Sequence, residues 1–390
     1  MNTKEMIEQY EDFVIKTYTR IPVVIVKGKG LKVWDLDGNE YLDFFPGWAV
    51  SGLGHCHPRV VNAVRNYLKK IIHVSNNYYN MLQGKLAQRI IEHSFKGKVF
   101  FCNSGAEANE AAIKLVRAYG THKGRYEIIT MKDSFHGRTL ATVTATGQEK
   151  YHKGFEPLPA GFRTVAFNDI KAVEDAVGDT TAAIMIELIQ GEGGINVADR
   201  DYVSGLRKLC DEKDLILIFD EVQTGIARTG KMFCFEHYGV TPDVMTLAKS
   251  LGGGLPIGAM VAATGFQDVL KPGMHASTFG GSPIACSAAL AVFEAIKRDK
   301  LLANTNEMGE YLVKRLNELK TKKSIIKEIR GKGLMIGMEL TIEGKDIVEA
   351  CFKERLLINC AHDNVLRLMP GMIVNKNQID RAIEILDKVI

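Results

Sequence analysis

No part of this chain is apolar for long enough to cross a bilayer, because nowhere do its residues approach the roughly 18 uninterrupted apolar positions that a spanning helix needs. The opening stretch MNTKEMIEQY also lacks the apolar centre of an export signal. Cysteine is sparse: seven residues at 56, 102, 210, 234, 286, 351 and 360 form an odd set without a CxxC pair. That pattern offers no disulfide scaffold and reads as reduced thiols of a cytoplasmic protein. Neither sign of charge dominates, since 50 basic side chains face 46 acidic ones for a formal charge of +4. So small an excess gives no reason to expect nucleic acid or a membrane surface as partner. No internal repeat and no linker rich in Pro, Ser or Gly interrupts the chain, and no GxGxxG follows an early strand, which weakens a nicotinamide-dependent reading.

What is present is a strand and helix alternation. Segment 23–45 carries short β-rich runs broken at Lys29-Gly30 and Asp37-Gly38, the signal of a small meander. From residue 57 the rhythm changes: PRVVNAVRNYLKKI has helical spacing, KVFFCN is a short strand, and ANEAAIKLVRAYG is an Ala-rich helix ending at Gly120. YEIITM, AAIMIELI and LILIFD are apolar without alternation, as expected of strands buried on both faces of a mainly parallel sheet. After the helical stretch 283–298 the pattern becomes a mixture of helices and paired strands, including RGKGLMIG, whose glycines predict tight packing in a strand pair. With 390 residues, two domains are expected: an α/β domain over 46–300 and a smaller α+β domain made of 301–390 joined by the N-terminal segment 1–45.

The run LILIFDEVQTG poses the chemical question, because it ends in two adjacent carboxylates, Asp220 and Glu221. Burying an unpaired carboxylate costs several kcal/mol, so a cation is expected to meet them. Ligands of open parallel sheets bind beyond the C-terminal strand ends, which is where Asp220 falls. Read alone, Asp220 is a turn or cap residue. Downstream, TLAKSLGGGLPIGA sets Lys249 in apolar surroundings that favour its neutral, nucleophilic amine. An acid after one strand and such a lysine after the next suggest pyridoxal phosphate, whose ring nitrogen needs a carboxylate beside it. Ser104, Gly105 and Ala106, at the start of the Ala-rich helix, could cradle its phosphate. In SFHGRT, Phe135 could stack on the ring and Arg138 could bind a substrate carboxylate in forked geometry. Each has a plainer reading as well: an N-cap, a core ring, a surface ion pair. The cluster His55-Cys56-His57 reads as a turn before Pro58 rather than a metal site, because adjacent positions point apart and no second ligand pair has matching spacing.

Taken together, GHCHP, NSGAEANEAA, SFHGRT, QGEGG, FDEVQTG, AKSLGGGLPIGA, STFGGSP and VLRLMP resemble the class III, or ω-amino, aminotransferases of pyridoxal-phosphate fold type I, in the family's order and over nearly the whole chain. The resemblance implies pyridoxal 5′-phosphate as cofactor and a homodimer with its active site at the subunit interface. It implies that Lys249 carries the cofactor and moves the substrate proton, that Asp220 meets the ring nitrogen and Gln223 the ring hydroxyl, and that Val222 and Phe135 pack on opposite ring faces. Ser104, Gly105 and Ala106 would hold the phosphate, with Thr278 reaching across from the other subunit and Ser277 beside the substrate. Arg138 would grip the carboxylate remote from the reacting amine. Arg367 would bind the α-carboxylate of glutamate, and Glu192 would neutralise Arg367 when a donor without that group is bound. Tyr18 matches a substrate-side tyrosine.

YTRIP, GHCHP, FHGRT and STFGG look most like the branch that moves the δ-amino group of N2-acetyl-L-ornithine to 2-oxoglutarate, in arginine biosynthesis. Ornithine, succinylornithine, succinyldiaminopimelate or 4-aminobutyrate are the alternative donors, and an aminomutase is a further alternative. A non-enzymatic cofactor-binding or interaction protein would be expected to lack Lys249. Two positions depart from the branch: Trp48 stands where a small aliphatic residue is common, and His362-Asp363 where the stretch is often glycine-rich.

Overall fold

The computed structural model describes residues 2–390, and its centre is a seven-stranded sheet. Across the sheet the strands run Gly97–Cys102, Gly258–Ala263, Val244–Leu247, Ile216–Asp220, Thr181–Ile186, Glu127–Met131 and Phe162–Val165. Gly258–Ala263 pairs antiparallel with both of its neighbours, and every other pairing in the sheet is parallel. The fold is therefore α/β with a mainly parallel sheet, as the uniform apolar runs predict.

Those runs lack alternation because both sheet faces are covered. Ile128, Ala183, Met185, Ile216, Ile218 and Val244 join one core with Ala111, Ala112 and Leu115 of the helix Gly105–Gly120. The intervening Ile129, Ile184, Ile186, Leu217, Phe219 and Met245 join another core with the helices Arg200–Lys213 and Pro283–Arg298. Period two sends alternate residues to opposite faces, and both faces are apolar. By the same period Asp220 shares the face of Ile216 and Ile218, so it points toward the helix Gly105–Gly120. Gly120 is the last residue of that helix, but its backbone is right-handed; the left-handed stop comes at Gly124, after a short 3₁₀ turn.

The remaining strands form smaller sheets. Ile25–Lys29, Lys32–Asp35 and Glu40–Asp43 make the expected antiparallel meander, extended by Leu356–Leu357. Ile326–Lys332 and Met335–Leu340 are the glycine-rich strand pair, followed in the sheet by Val365–Leu368 and Asn359–Ala361. A separate core gathers Leu312, Leu316, Ile336, Leu366, Ile379 and Leu386 with Leu31 and Phe44 from the N-terminal part. Arg228, fully buried, reaches the carbonyl oxygens of Leu334 at 3.2 Å and Pro370 at 2.5 Å, pinning the segment after Asp220 to this second group of strands. Among the described residues no helix is long and apolar enough to cross a membrane.

The two adjacent carboxylates meet different fates. Glu221, 1% exposed, finds no cation among the described residues. Its carboxylate accepts the backbone N–H groups of Cys234 and Phe235, each at 2.7 Å, and the Thr224 hydroxyl at 3.2 Å. The expectation of a shared cation thus fails for Glu221, because a returning loop satisfies it with main-chain donors. Burial nonetheless pushes its carboxyl up to about 7. The folded value lies above the unfolded one, so the folded state holds the extra proton and stability falls as pH rises between about 4.5 and 7. Glu221→Gln should remove this contribution: in thermal melts at pH 5 and pH 7.5, wild type should lose about 1–3 kcal/mol more than the variant across that interval.

Candidate active site

Six strands of the sheet run in one direction and end on one edge, and the chemistry-bearing residues follow five of those ends. Asp220 closes Ile216–Asp220, Lys249 follows Val244–Leu247, Ser104 follows Gly97–Cys102, Phe135 and Arg138 follow Glu127–Met131, and Glu187 follows Thr181–Ile186. They meet around a cavity of about 420 Å³, within the roughly 300–1,000 Å³ usual for small-molecule sites. Val222, Gln223, Gly105, Ala106 and Glu192 complete the part of the wall expected from sequence.

Asp220 is 4% exposed and fully bonded. Its Oδ2 accepts Asn109 Nδ2 at 2.8 Å and lies 2.8 Å from His136 Nδ1; its Oδ1 accepts the Val222 N–H at 3.0 Å. Neither Asn109 nor His136 was given a role by sequence reasoning, although His136 lies inside SFHGRT and Asn109 stands four residues into the Ala-rich helix, on the face that Asp220 points to. His136 is 2% exposed, and its Nε2 is buried without a partner among the described residues.

Lys249 sits opposite with its backbone in the left-handed region at φ 42°, a strained state for a non-glycine residue that costs about 1–3 kcal/mol. Among the described residues its amine makes no hydrogen bond or ion pair. Burial lowers its pKa, while the nearby carboxylates of Glu192, Asp220 and Glu187 act against that shift. The result is an amine with more neutral character than a surface lysine has. Glu187, a second residue the sequence did not single out, accepts the N–H groups of Phe135 at 2.9 Å and Gly191 at 3.3 Å; burial raises its pKa.

At the other end of the cavity begins the helix Gly105–Gly120. Ser104 is its N-cap and accepts the Glu107 N–H at 3.2 Å, while the N–H groups of Gly105 and Ala106 have no partner within the helix. Gly105 is needed for close approach: a Cβ there would fall 2.7 Å from Val222 Cγ1. Free N–H groups and the helix dipole make this end a place for an anion. Gln223, 6% exposed, has a buried amide oxygen without a partner on the cavity wall.

Arg138 is exposed on the cavity rim, its guanidinium 4.1 Å from the Tyr151 ring centroid and 5.5 Å from that of Phe135, with no carboxylate partner among the described residues. Arg367 lies in a neighbouring cavity of about 860 Å³ that shares Glu192. It is fully buried, with Nη1 donating to Glu192 Oε1 at 2.7 Å and to the Gly191 carbonyl at 3.0 Å, Nη2 donating to Glu192 Oε2 at 3.2 Å, and Nε donating to Asn359 Oδ1 at 2.9 Å. The rings of Phe45 and Trp48 lie 4.7 and 5.4 Å from this guanidinium.

Three expected site residues line neither of these cavities. Ser277 accepts Asn103 Nδ2 at 3.0 Å from outside them, Thr278 is exposed beside it in sequence, and Tyr18 lies on the exposed N-terminal segment against Arg20. In the histidine cluster, His55 pairs with Asp43 at 2.8 Å and His57 lies 3.6 Å from Asp299, so each ring has a carboxylate of its own.

A lysine held without a partner, a buried carboxylate facing it, and a helix start open to an anion agree with what the family model finds. The chain belongs to the aminotransferase class-III family, whose model matches residues 13–390. It is 54% identical over 389 residues to the acetylornithine aminotransferase of Caldanaerobacter subterraneus subsp. tengcongensis, covering 99% of each chain. It is 52% identical over 398 residues to that of Methanocaldococcus jannaschii, covering 100% of this chain and 98% of the relative. Among solved structures, the ornithine aminotransferase of Toxoplasma gondii ME49 superposes with a TM-score of 0.95 at 33% identity, covering 100% of this chain and 95% of that one. The acetylornithine aminotransferase of Elizabethkingia anophelis gives a TM-score of 0.89 at 31% identity, covering 100% and 99%.

His136→Phe should leave Asp220 short of one donor with its charge still buried. We expect a loss of about 1.5–3 kcal/mol in urea unfolding at neutral pH, against little change for the exposed Leu140→Ala in the neighbouring helix.

Proposed function

We propose that this aminotransferase moves the δ-amino group of N2-acetyl-L-ornithine to 2-oxoglutarate, giving N-acetyl-L-glutamate 5-semialdehyde and L-glutamate in cytoplasmic arginine biosynthesis, with pyridoxal 5′-phosphate as cofactor. The observation that carries the reaction class is the partnerless amine of Lys249 in a cavity that also holds buried Asp220. The donor rests on the full-length likeness to acetylornithine aminotransferases at 54% and 52% identity.

The residues present fit the cofactor. Ser104, Gly105 and Ala106 would hold its phosphate at the helix start, Asp220 would pair with the ring nitrogen, and Val222 and Phe135 would flank the ring. Gln223 carries an orphaned buried amide end on the same wall, and its amide can present either end to the ring hydroxyl. When bound, pyridoxal phosphate supplies a carbon that an amine can attack and an electron sink for the charge left by a departing proton. Lys249 would anchor it between turnovers; once free, Nζ would take the proton from the substrate carbon that bears the nitrogen and later give it up again. Lowered basicity suits that task, because a base holding a permanent proton cannot accept another. Asn109 and His136 would keep Asp220 oriented.

Arg138 would hold the carboxylate remote from the reacting amine, consistent with its lack of any protein anion. With acetylornithine bound, Glu192 would stay on Arg367; with glutamate, the substrate α-carboxylate would take its place. Thr278 would complete the phosphate site of a second copy in a homodimer, with Ser277 and Tyr18 near the substrate of the assembled site. Supporting this, the segment 73–83 packs on 277–281 through the His73–Phe279 ring contact and Asn76, and the two segments leave Tyr78, Tyr79, Met81 and Phe279 exposed. An apolar surface of that kind is characteristic of an interface. The domain division at about residues 45 and 300 stays part of the same reading.

Single-turnover absorbance of the holoenzyme, mixed with one amine at a time and no keto acid, tests the proposal. Acetylornithine should bleach the cofactor band far faster than ornithine or 4-aminobutyrate. A faster rival donor reassigns the substrate, and silence with every amine rejects the transaminase. Turnover that needs no 2-oxoglutarate would mark an aminomutase. Lys249→Ala should still bind pyridoxal phosphate but lose it on denaturation after borohydride treatment, which fixes the cofactor to wild type. Glu192→Ala should slow the acetylornithine half-reaction roughly tenfold or more, by leaving Arg367 uncompensated, and should slow the glutamate half-reaction less; equal losses would argue against the exchange.

A further inference from the structure

At the rim of the second cavity, His362 Nε2 lies 3.0 Å from Asp133 Oδ1. The two residues come from loops of different sheets. His362 turns the hairpin between Asn359–Ala361 and Val365–Leu368, while Asp133 follows the strand Glu127–Met131 and precedes Phe135 and Arg138. Both have left-handed backbones, with φ 50° at His362 and 64° at Asp133, and Asp363 follows at 63°. Glycine adopts that conformation freely, whereas other residues are strained there and persist only where surrounding contacts hold them.

The segments joined by this contact carry the carboxylate-gripping groups. The hairpin holds Arg367 and its partner Asn359, and the Asp133 loop leads to Arg138. Wedged against it is the loop of Glu192: a Cβ on Gly193 would fall 2.5 Å from the Asp133 carbonyl oxygen. The next residue, Gly194, is tied to the small-sheet side, its carbonyl accepting Arg330 Nε at 3.1 Å and Nη2 at 2.7 Å. Asp133 thus packs on the Glu192 loop through its main chain and meets the Arg367 hairpin through its side chain.

We propose that the His362–Asp133 contact fixes the spacing of Arg138 and Arg367, and so sets the grip on a substrate that presents a carboxylate to each, such as glutamate or 2-oxoglutarate. His362 is then a positioning residue that acts through Arg367 and touches no reacting atom. The inference rests on the proposed roles of the two arginines. It gives a physical reason for a histidine in a left-handed turn where glycine would fit with less strain. His362 is 45% exposed and Asp133 30%, so solvent screens the pair and its effect is modest, roughly three- to fivefold in affinity.

The test uses the holoenzyme and glutarate, a dicarboxylate with no amine or keto group, titrated by calorimetry against wild type, His362→Gly and His362→Gln. Steady-state assays on the same proteins give the Michaelis constant for the keto-acid substrate, and thermal melts give the unfolding midpoint. His362→Gly should weaken glutarate binding and raise that Michaelis constant, each by roughly three- to fivefold. Its acetylornithine half-reaction should stay unchanged, and its midpoint should be equal or higher because glycine relieves the turn. His362→Gln, whose amide can still donate to Asp133, should recover most of the affinity. Unchanged glutarate affinity in His362→Gly overturns the proposal, as does a loss that merely follows a lowered midpoint. A wild-type protein that binds no glutarate overturns both this inference and the reading of the arginines; glutarate binding that is equal in wild type and His362→Gly overturns the clasp alone.

Discussion

The rest of the site depends on how the charge of Asp220 is kept inside the protein. A carboxylate that is 4% exposed is tolerable only if its oxygens are bonded. Its three donors come from three places: Asn109 from the helix Gly105–Gly120, His136 from the loop after Glu127–Met131, and Val222 from the turn after its own strand. Satisfying this one group therefore fixes the helix start to the aromatic loop and to the Val222 turn. The anion-accepting end of the helix, the Phe135 ring and the apolar Val222 side chain are brought to one point by the same hydrogen bonds. Because Asp220 ends a strand whose even positions face that helix, its direction follows from the sheet's period of two.

Much of this arrangement was legible in the sequence because it follows from strand ends. The apolar runs 181–186, 216–220 and 244–247 are buried throughout, and uniform burial on both faces leaves an unmistakable pattern. Once the sheet is parallel, residues just past each run share an edge, so Asp220, Lys249, Ser104 and Phe135 converge without any knowledge of distances. The reversed direction of Gly258–Ala263 is not written in its composition, which is apolar like that of the parallel strands of the sheet. Glu221 misled for a different reason: its partners are main-chain groups of Cys234 and Phe235, and no side-chain code announces where a loop will return. His136, Asn109 and Glu187 escaped notice because each acts by bonding another residue or a backbone group, and such roles depend on orientation rather than residue type. Ser277, Thr278 and Tyr18 lie outside the cavity of a single chain, and their assignment came from resemblance alone.

Lys249 illustrates how opposing terms set a functional charge. Burial lowers the basicity of the lysine, and the carboxylates of Glu192, Asp220 and Glu187 act against that shift. Desolvation is the larger effect, so basicity falls. On the proposed reading, an amine of lowered basicity suits a group that must take up a proton from the substrate and release it again. The strained φ of 42° fits the same picture, since a backbone held out of its preferred well aims the amine into the cavity at a cost the packed core around it sustains.

Arg367 and Glu192 meet the converse problem, an ion pair that must be stable and yet exchangeable. The guanidinium is fully buried over Phe45 and Trp48 and is bonded along every edge, by Glu192, by the Gly191 carbonyl and by Asn359. Removing Glu192 without replacement would strand a buried cation, whereas replacing one carboxylate by another in the same place changes the charge balance very little. On the proposed reading, glutamate binds by that substitution and acetylornithine by leaving the pair intact. Asn359 and the Gly191 carbonyl matter because they do not exchange. They hold the guanidinium plane while the carboxylate changes, so selectivity passes to the spacing between Arg367 and Arg138. That spacing is set by the hairpin and loop that meet at His362 and Asp133, which places control of a dicarboxylate's fit in a pair of residues that never touch it.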